Sequence, residues 1–190
     1  MKYYIADTHF GHSNVLKFDN RPFSDVDEMD REMIYYWNET VREEDEVYIV
    51  GDFVYHNERP AEWYLSRLRG RKYLIVGNHD AKLLKDEKVM GYFEAVDKMM
   101  HVSDEGYQVC VCHFPLAEWN GFYRGTLHIY GHIHNRQDET WKFMRTRQGA
   151  YNAGCMLHGY RPVTLRELIG WADAMSAKGR IPCEAGEPTI

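Results

Sequence analysis

Apolar residues come in short runs along this chain, and each run stops at a glycine, a carboxylate or a histidine. Residues 2–6 form the first run and predict a strand ending at Asp7. Val47-Tyr48-Ile49-Val50 is closed by Gly51-Asp52, and Tyr73-Leu74-Ile75-Val76 by Gly77-Asn78-His79-Asp80. Residues 108–112 run into His113, and Leu127-His128-Ile129-Tyr130 into Gly131-His132-Ile133-His134. Compact runs of this kind, bounded by turn residues, read as buried strands. Between them the period changes. Met29, Met33, Trp37 and Val41 recur at helical spacing and predict an amphipathic helix over 25–41, with Ser24 as its N-cap and Asp27 at the capping-box position. That Met and aromatic stripe is core. Pro60 suits the first turn of a second helix, which carries Trp63, Leu65 and Leu68 and closes at Gly70. A last helix is expected over 164–177 through Leu165, Leu168, Ile169 and Ala172. Residues 10–23 read as a loop, 81–99 as undecided between helix and irregular segments, and 140–155 as a further strand or hairpin.

Strands that alternate with helices predict the α/β class. With 190 residues, the chain predicts one domain over 1–178 and a mobile tail over 179–190, where two prolines and two glycines leave little apolar content. No apolar run is long enough to cross a membrane. The opening residues read as a strand and not as a signal peptide. The formal charge of -6 does not advertise a long nucleic acid as partner, although it does not exclude one. Cys110, Cys112, Cys155 and Cys183 lack the spacing of a disulfide framework. Buried free thiols in a reducing, cytoplasmic setting are expected.

The ends of the runs carry the chemistry. Five stations follow five candidate strands: Asp7-Thr8-His9, Gly51-Asp52, Gly77-Asn78-His79-Asp80, His113, and His132-Ile133-His134. Ligands in α/β sheets bind at the carboxyl ends of strands, so the stations should meet. Asp, Asn and His supply oxygen and nitrogen donors suited to Mn, Fe, Ni or Zn. Seven donors (Asp7, His9, Asp52, Asn78, His113, His132 and His134) are too many for one tetrahedral ion. Two ions sharing a carboxylate would use them all, and two-metal sites favour phosphate-ester hydrolysis. Around them, His12 is a candidate to touch substrate or support a ligand. Arg21 could clamp a phosphate oxygen or sit in an exposed salt bridge. Arg124 is a further candidate for substrate, and Arg67, Arg69, Arg71 and Lys72 read as a solvated basic face.

In this order the stations resemble the calcineurin-like metallophosphoesterase superfamily: D-x-H, GD, GNH[DE], a lone H and GH-x-H, all present between Asp7 and His134. The opening Asp7-Thr8-His9-Phe10-Gly11-His12, with Arg21-Pro22-Phe23, is similar to a compact bacterial and phage branch. The resemblance implies a four-layer α-β-β-α sandwich. It implies one ion on Asp7, His9, Asp52 and His134, and a second on Asp52, Asn78, His113 and His132, with manganese first among the metals. It implies a phosphoesterase in which a metal-bridging hydroxide attacks phosphorus in a phosphodiester or a small nucleotide-like ester, with a nuclease or a non-catalytic module as alternatives. His79 would protonate or stabilise the leaving oxygen, with Asp80 as its support. One departure matters: Gly51-Asp52 continues as Phe53-Val54-Tyr55-His56-Asn57, without the Asp-Arg-Gly element of the protein-phosphatase branch. That argues against a phosphoprotein phosphatase of that branch.

Overall fold

The computed structural model describes residues 1–55 and 59–178. Among these, eight strands form two four-stranded sheets. In the first, β1 (Lys2–Ile5), β2 (Glu46–Ile49), β3 (Arg71–Ile75) and β4 (Phe93–Asp97) lie in that order and run parallel. In the second, β5 (Met99–Asp104) pairs antiparallel with β6 (Tyr107–Cys112), and β6, β7 (Leu127–Tyr130) and β8 (Ala150–Asn152) run parallel. The helices are α1 (Val15–Phe18), α2 (Val26–Thr40), α3 (Ala61–Leu65), α4 (Glu87–Met90), α5 (Glu139–Met144) and α6 (Leu165–Lys178).

The period of two along β1 and β2 sorts their side chains into two cores. Tyr3, Ile5, Val47 and Ile49 pack with Met29, Met33 and Trp37 of α2 and with Tyr64 and Leu65 of α3. Tyr4, Ala6, Tyr48 and Val50 face the other way, against Val109, Val111, Leu127 and Ile129 of the second sheet and Leu165 and Leu168 of α6. A stack of Tyr4, Tyr48 and Tyr73, with centroids 5.5 and 4.7 Å apart, runs through that inner layer. Two of its hydroxyls donate outward, Tyr4 to Asp104 (2.9 Å) and Tyr48 to Glu46 (3.0 Å). The fold is the expected sandwich of helix, sheet, sheet and helix. Its outermost layer on the second sheet is thin: α5, and the 114–126 segment, whose Trp119 lies over His128. Segment 152–155 stitches the sheets together, because Ala153 N–H donates to Tyr130 O and Ala6 N–H to Ala153 O, both at 2.8 Å.

Several elements differ from the sequence expectation. Asp25, not Ser24, caps α2 and accepts from Glu28 N–H (2.8 Å). Ser24 donates its amide and hydroxyl to the Glu28 carboxylate, so the box closes one residue later and on a glutamate. The expected 10–23 loop contains α1. Residues 81–99 resolve into a 3₁₀ turn at Leu83–Lys85, α4 and the edge strand β4. The expected strand or hairpin at 140–155 is α5 followed by the short β8, with Asp138 capping α5 through Trp141 N–H. Cys110, Cys112 and Cys155 are buried free thiols. Cys183 and the 179–190 tail lie outside the described residues. Among the described residues, no helix is long and apolar enough to cross a membrane.

Candidate metal centre

The turns after the strands bend the chain so that polar side chains converge. Asp7 (φ 56°), His9 (48°), Asp52 (55°), His132 (70°) and His134 (52°) all adopt left-handed backbone. That conformation costs a non-glycine residue roughly 1–2 kcal/mol, and such strain gathers at functional sites. The glycines between them permit close approach. A Cβ on Gly77 would strike Asp52 Oδ1, and one on Gly51 (φ 82°) would strike His113 Nδ1.

All seven donors expected from the sequence meet, in two lobes. Donor atoms of Asp7, His9 and His134 lie within 4.8 Å of one another, as do those of Asp7, Asp52 and His113. Asp7 is common to both groups, and Asp52 Oδ2 reaches toward each, 3.7 Å from His9 Nε2 and 3.5 Å from His113 Nε2. Asn78 Oδ1 is 3.1 Å from His113 Nε2 and 2.9 Å from His132 Nδ1. His134 Nε2 is 3.8 Å from Asp7 Oδ1. Separations of 3.5–3.8 Å are too long for hydrogen bonds and suit donors facing one another across a cation.

The chemistry of the donor set fits divalent metal. Both ring nitrogens of His9 are buried without a hydrogen-bond partner among the described residues. Orphaned polar atoms of that kind are rare in native cores. Burial pushes His9 down to about 2, helped by His134 and Arg21, so the ring is neutral and its lone pair free. Burial likewise pushes Asp7 up to about 6, against the pull of His134 and His113, so an anion there needs a strong positive partner. His113 donates from Nδ1 to Val50 O (2.8 Å), which turns the Nε2 lone pair into the cluster. His132 fixes Asp7 from the backbone, its N–H 2.9 Å from Oδ2.

The surrounding residues correct parts of the sequence reading. Arg21 is neither a phosphate clamp nor an exposed salt bridge. It is buried, pairs with Asp19 Oδ2 (2.9 Å), and donates to Thr8 O (2.8 Å) and Asp7 O (2.9 Å) beneath the cluster. Asp80 does not support the His79 imidazole. It is fully buried and accepts from the N–H groups of Asp52 (3.0 Å), Phe53 (3.0 Å) and Gly77 (2.8 Å), tying the turns of Asp52 and Asn78 together. His79 leans on the Tyr55 ring instead (centroids 4.2 Å apart), its Nε2 4.0 Å from Asp52 Oδ2. His12 is buried beside His9 and Tyr55. Arg124 is exposed, reaches Asn120 Oδ1 (3.4 Å), and has no contact with the cluster among the described residues.

Asp19 was not anticipated. Its Oδ1 lies 2.7 Å from His134 Nδ1, and Asn135 donates to its carbonyl (2.9 Å). Asn152 holds the same loop by donating to His134 O (3.0 Å). The one sequence sign of Asp19 was a charge two residues before Arg21.

A family model described as calcineurin-like phosphoesterase matches residues 3–174. An uncharacterised protein of Methanocaldococcus jannaschii is 33% identical over 169 residues, 88% of each chain. The gene 66 protein of Mycobacterium phage D29 is 28% identical over 160 residues, covering 70% of this chain and 78% of its own. A solved Aquifex aeolicus structure, itself of a protein of unknown function, matches with a TM-score of 0.70 at 25% identity. The match covers 90% of this chain and 98% of that one.

Proposed function

Because the chain belongs to the calcineurin-like phosphoesterase family, we propose that its cluster holds two divalent cations and hydrolyses a phosphodiester or a small nucleotide-like phosphoester. The observation that carries this reading is the place of Asp52 Oδ2, within 3.7 Å of His9 Nε2 and 3.5 Å of His113 Nε2. A carboxylate between two sets of donors is a bridging ligand. Asp7, His9, Asp52 and His134 would hold one ion; Asp52, Asn78, His113 and His132 would hold the other. When bound, the ions supply an activated water and neutralise the phosphoryl oxygens.

The residues do the rest. The seven ligands carry only two carboxylate charges, Asp7 and Asp52, so a loaded site keeps a positive surplus for an anionic ester. His79 reaches the cluster from its open side and is placed to give a proton to the leaving oxygen. Tyr55 limits where that imidazole can turn. Asp80 and Asp19 hold the ligand loops. The absence of thiolates among the donors favours manganese, with iron, nickel or zinc as alternatives. The buried free thiols suit a cytoplasmic setting. A nuclease on long chains is the second reading, and the net charge of -6 speaks for small substrates instead.

The test combines metal analysis with a substrate panel: bis(p-nitrophenyl) phosphate, p-nitrophenyl phosphate, cyclic nucleotides and short oligonucleotides, each with Mn, Ni, Fe and Zn. Two ions per chain and turnover of the diester are expected, with Asp52→Asn losing both ions. One ion per chain with full activity, or no hydrolysis under any metal, would overturn the reading.

A further inference from the structure

The cluster has a closed floor and one open face. Asp7, His9, Asp52 and His113 are buried. Asn78 is exposed, and His79, His132 and His134 are partly so. An ester must therefore arrive over Asn78, His79 and His132. On the rim of that face stands Phe114, 42% exposed, with ring centroids 5.0 Å from His113 and 4.8 Å from His132. Single exposed apolar side chains are common and need no explanation. This one is set apart by its place. Among the described residues it is the one exposed large hydrophobic in ring contact with candidate metal ligands.

Its neighbours leave part of the ring free. The two imidazoles meet it at 78° and 59°, so neither is stacked flat on it. The segment that carries it is fixed on both sides: His113 O accepts from Gly131 N–H (2.9 Å), and Leu116 N–H donates to His128 Nε2 (3.2 Å). Pro115 follows and disfavours helical backbone at Phe114. A rigid, half-wet aromatic edge beside a phosphate site offers a surface on which another ring can stack.

We propose that Phe114 is a specificity-determining residue, and that its exposed ring packs on an aromatic group, a nucleobase or an aryl ring, carried by the half of the diester that stays on phosphorus. The inference rests on the phosphoesterase reading for which half is retained. In that reaction a water oxygen bonds to phosphorus, the bond from phosphorus to the leaving oxygen breaks, and His79 protonates that oxygen. His79 packs on His9 (centroids 5.5 Å apart) and Tyr55, whereas Phe114 packs on His113 and His132. The two flank the open face from different lobes. The leaving group goes to His79, so the ring at Phe114 belongs to the other substituent.

The first arm of the test holds the leaving group constant. Metal-loaded protein is assayed on the p-nitrophenyl diesters of thymidine 5′-phosphate, phenyl phosphate and ethyl phosphate. Phe114→Ala and Phe114→Leu should each lower kcat/KM about 10-fold on the thymidine or the phenyl ester, chiefly through KM, and leave the ethyl ester nearly unchanged. Phe114→Tyr should behave as the parent, and metal analysis should find the parent's ion content in all three variants. Comparing each ester between parent and variant cancels its intrinsic reactivity. Equal losses on all three esters, or a Phe114→Leu that matches the parent, would make Phe114 an apolar wall for His132 and overturn the proposal. The second arm needs no turnover. Calorimetry of manganese-loaded protein with thymidine 5′-phosphate, phenyl phosphate and ethyl phosphate should show the same selective loss in Phe114→Leu. Absence of turnover on every ester sinks the phosphoesterase reading, and the second arm then decides Phe114 by itself. Turnover and binding with no aromatic selectivity in the parent sink the proposal alone.

Discussion

Asp19 Oδ1 lies 2.7 Å from His134 Nδ1, while its other oxygen takes two hydrogen bonds from Arg21. The pair fixes His134 with Nδ1 as donor and turns Nε2 toward Asp7. Burial would raise the Asp19 carboxyl, yet His134 and Arg21 hold it below the usual range. Burial would lower His134, yet Asp19 and Asp7 raise it. Arg21 also grips the backbone of Asp7 and Thr8, so one buried cation ties the Asp7 turn to Asp19, the partner of His134.

Asp19→Asn tests this. The substitution keeps the shape and still offers an oxygen to Arg21, but it removes the charge that sets the imidazole. Affinity for manganese in the lobe of Asp7, His9 and His134 should fall about 10- to 100-fold, the usual cost of losing a carboxylate behind a metal-binding histidine. The lobe of Asn78, His113 and His132 should change little. Two-step manganese titration reads both. Equal weakening of the two lobes would show that Asp19 acts on the fold and not on His134.

Asp80 makes a different prediction. Its three backbone partners belong to the turns that present Asp52 and Asn78. Asp80→Ala leaves three buried N–H groups unpaired, each worth about 1–3 kcal/mol. Stability of the metal-free protein should fall by about 3 kcal/mol or more in urea. If Asp80 served only His79, stability would hold and only turnover would drop.

What was legible in the sequence is local. All seven candidate donors could be named because each follows a buried apolar run and a tight turn, and those signals lie within a few residues. Arg21 and Asp80 were visible as charges but misjudged, since their partners are backbone groups brought together by the fold. Asp80 reads as a neighbour of His79, yet it accepts from Asp52 and Phe53, 28 and 27 residues away. The edge strands β4 and β5 were missed because their exposed positions carry Glu94, Asp97 and Ser103 in place of a continuous apolar run. Residues 140–155 read as a strand or hairpin, and the Asp138 cap that decides for helix in α5 is a single residue.

His79 should act on the leaving group without holding metal. His79→Ala is then expected to retain both ions and the fold. Turnover on alkoxide leaving groups should drop by about 10²- to 10⁴-fold, the usual scale of general acid catalysis. A nitrophenolate leaves without much protonation, so its loss should be smaller. The comparison is made in one metal-loaded preparation. Equal losses on the two substrates would assign His79 to charge stabilisation or positioning, and loss of an ion would make it a ligand.

The last prediction lies away from the metals, at His128 on β7. Its ring is buried under Trp119, Nδ1–H donates to Cys110 O (3.0 Å), and Nε2 accepts from Leu116 N–H (3.2 Å). Protonation would set a second N–H against the Leu116 donor. Burial pushes the imidazole down to about 4, against an unfolded value of about 6.5. The folded state therefore binds fewer protons than the unfolded chain between those values. The stability this ring contributes is present above about pH 6.5 and is lost as pH falls through about 4, about 3 kcal/mol in all. At pH 5 roughly 2 kcal/mol should already be gone. His128→Gln cannot titrate, so it serves as the reference, and the other ionisable groups are common to both chains. In urea unfolding of metal-free protein, the stability gap between parent and His128→Gln should narrow by about 2 kcal/mol from pH 7.5 to pH 5. A gap that stays constant would mean that this histidine titrates normally and that the lid over the second sheet opens to water.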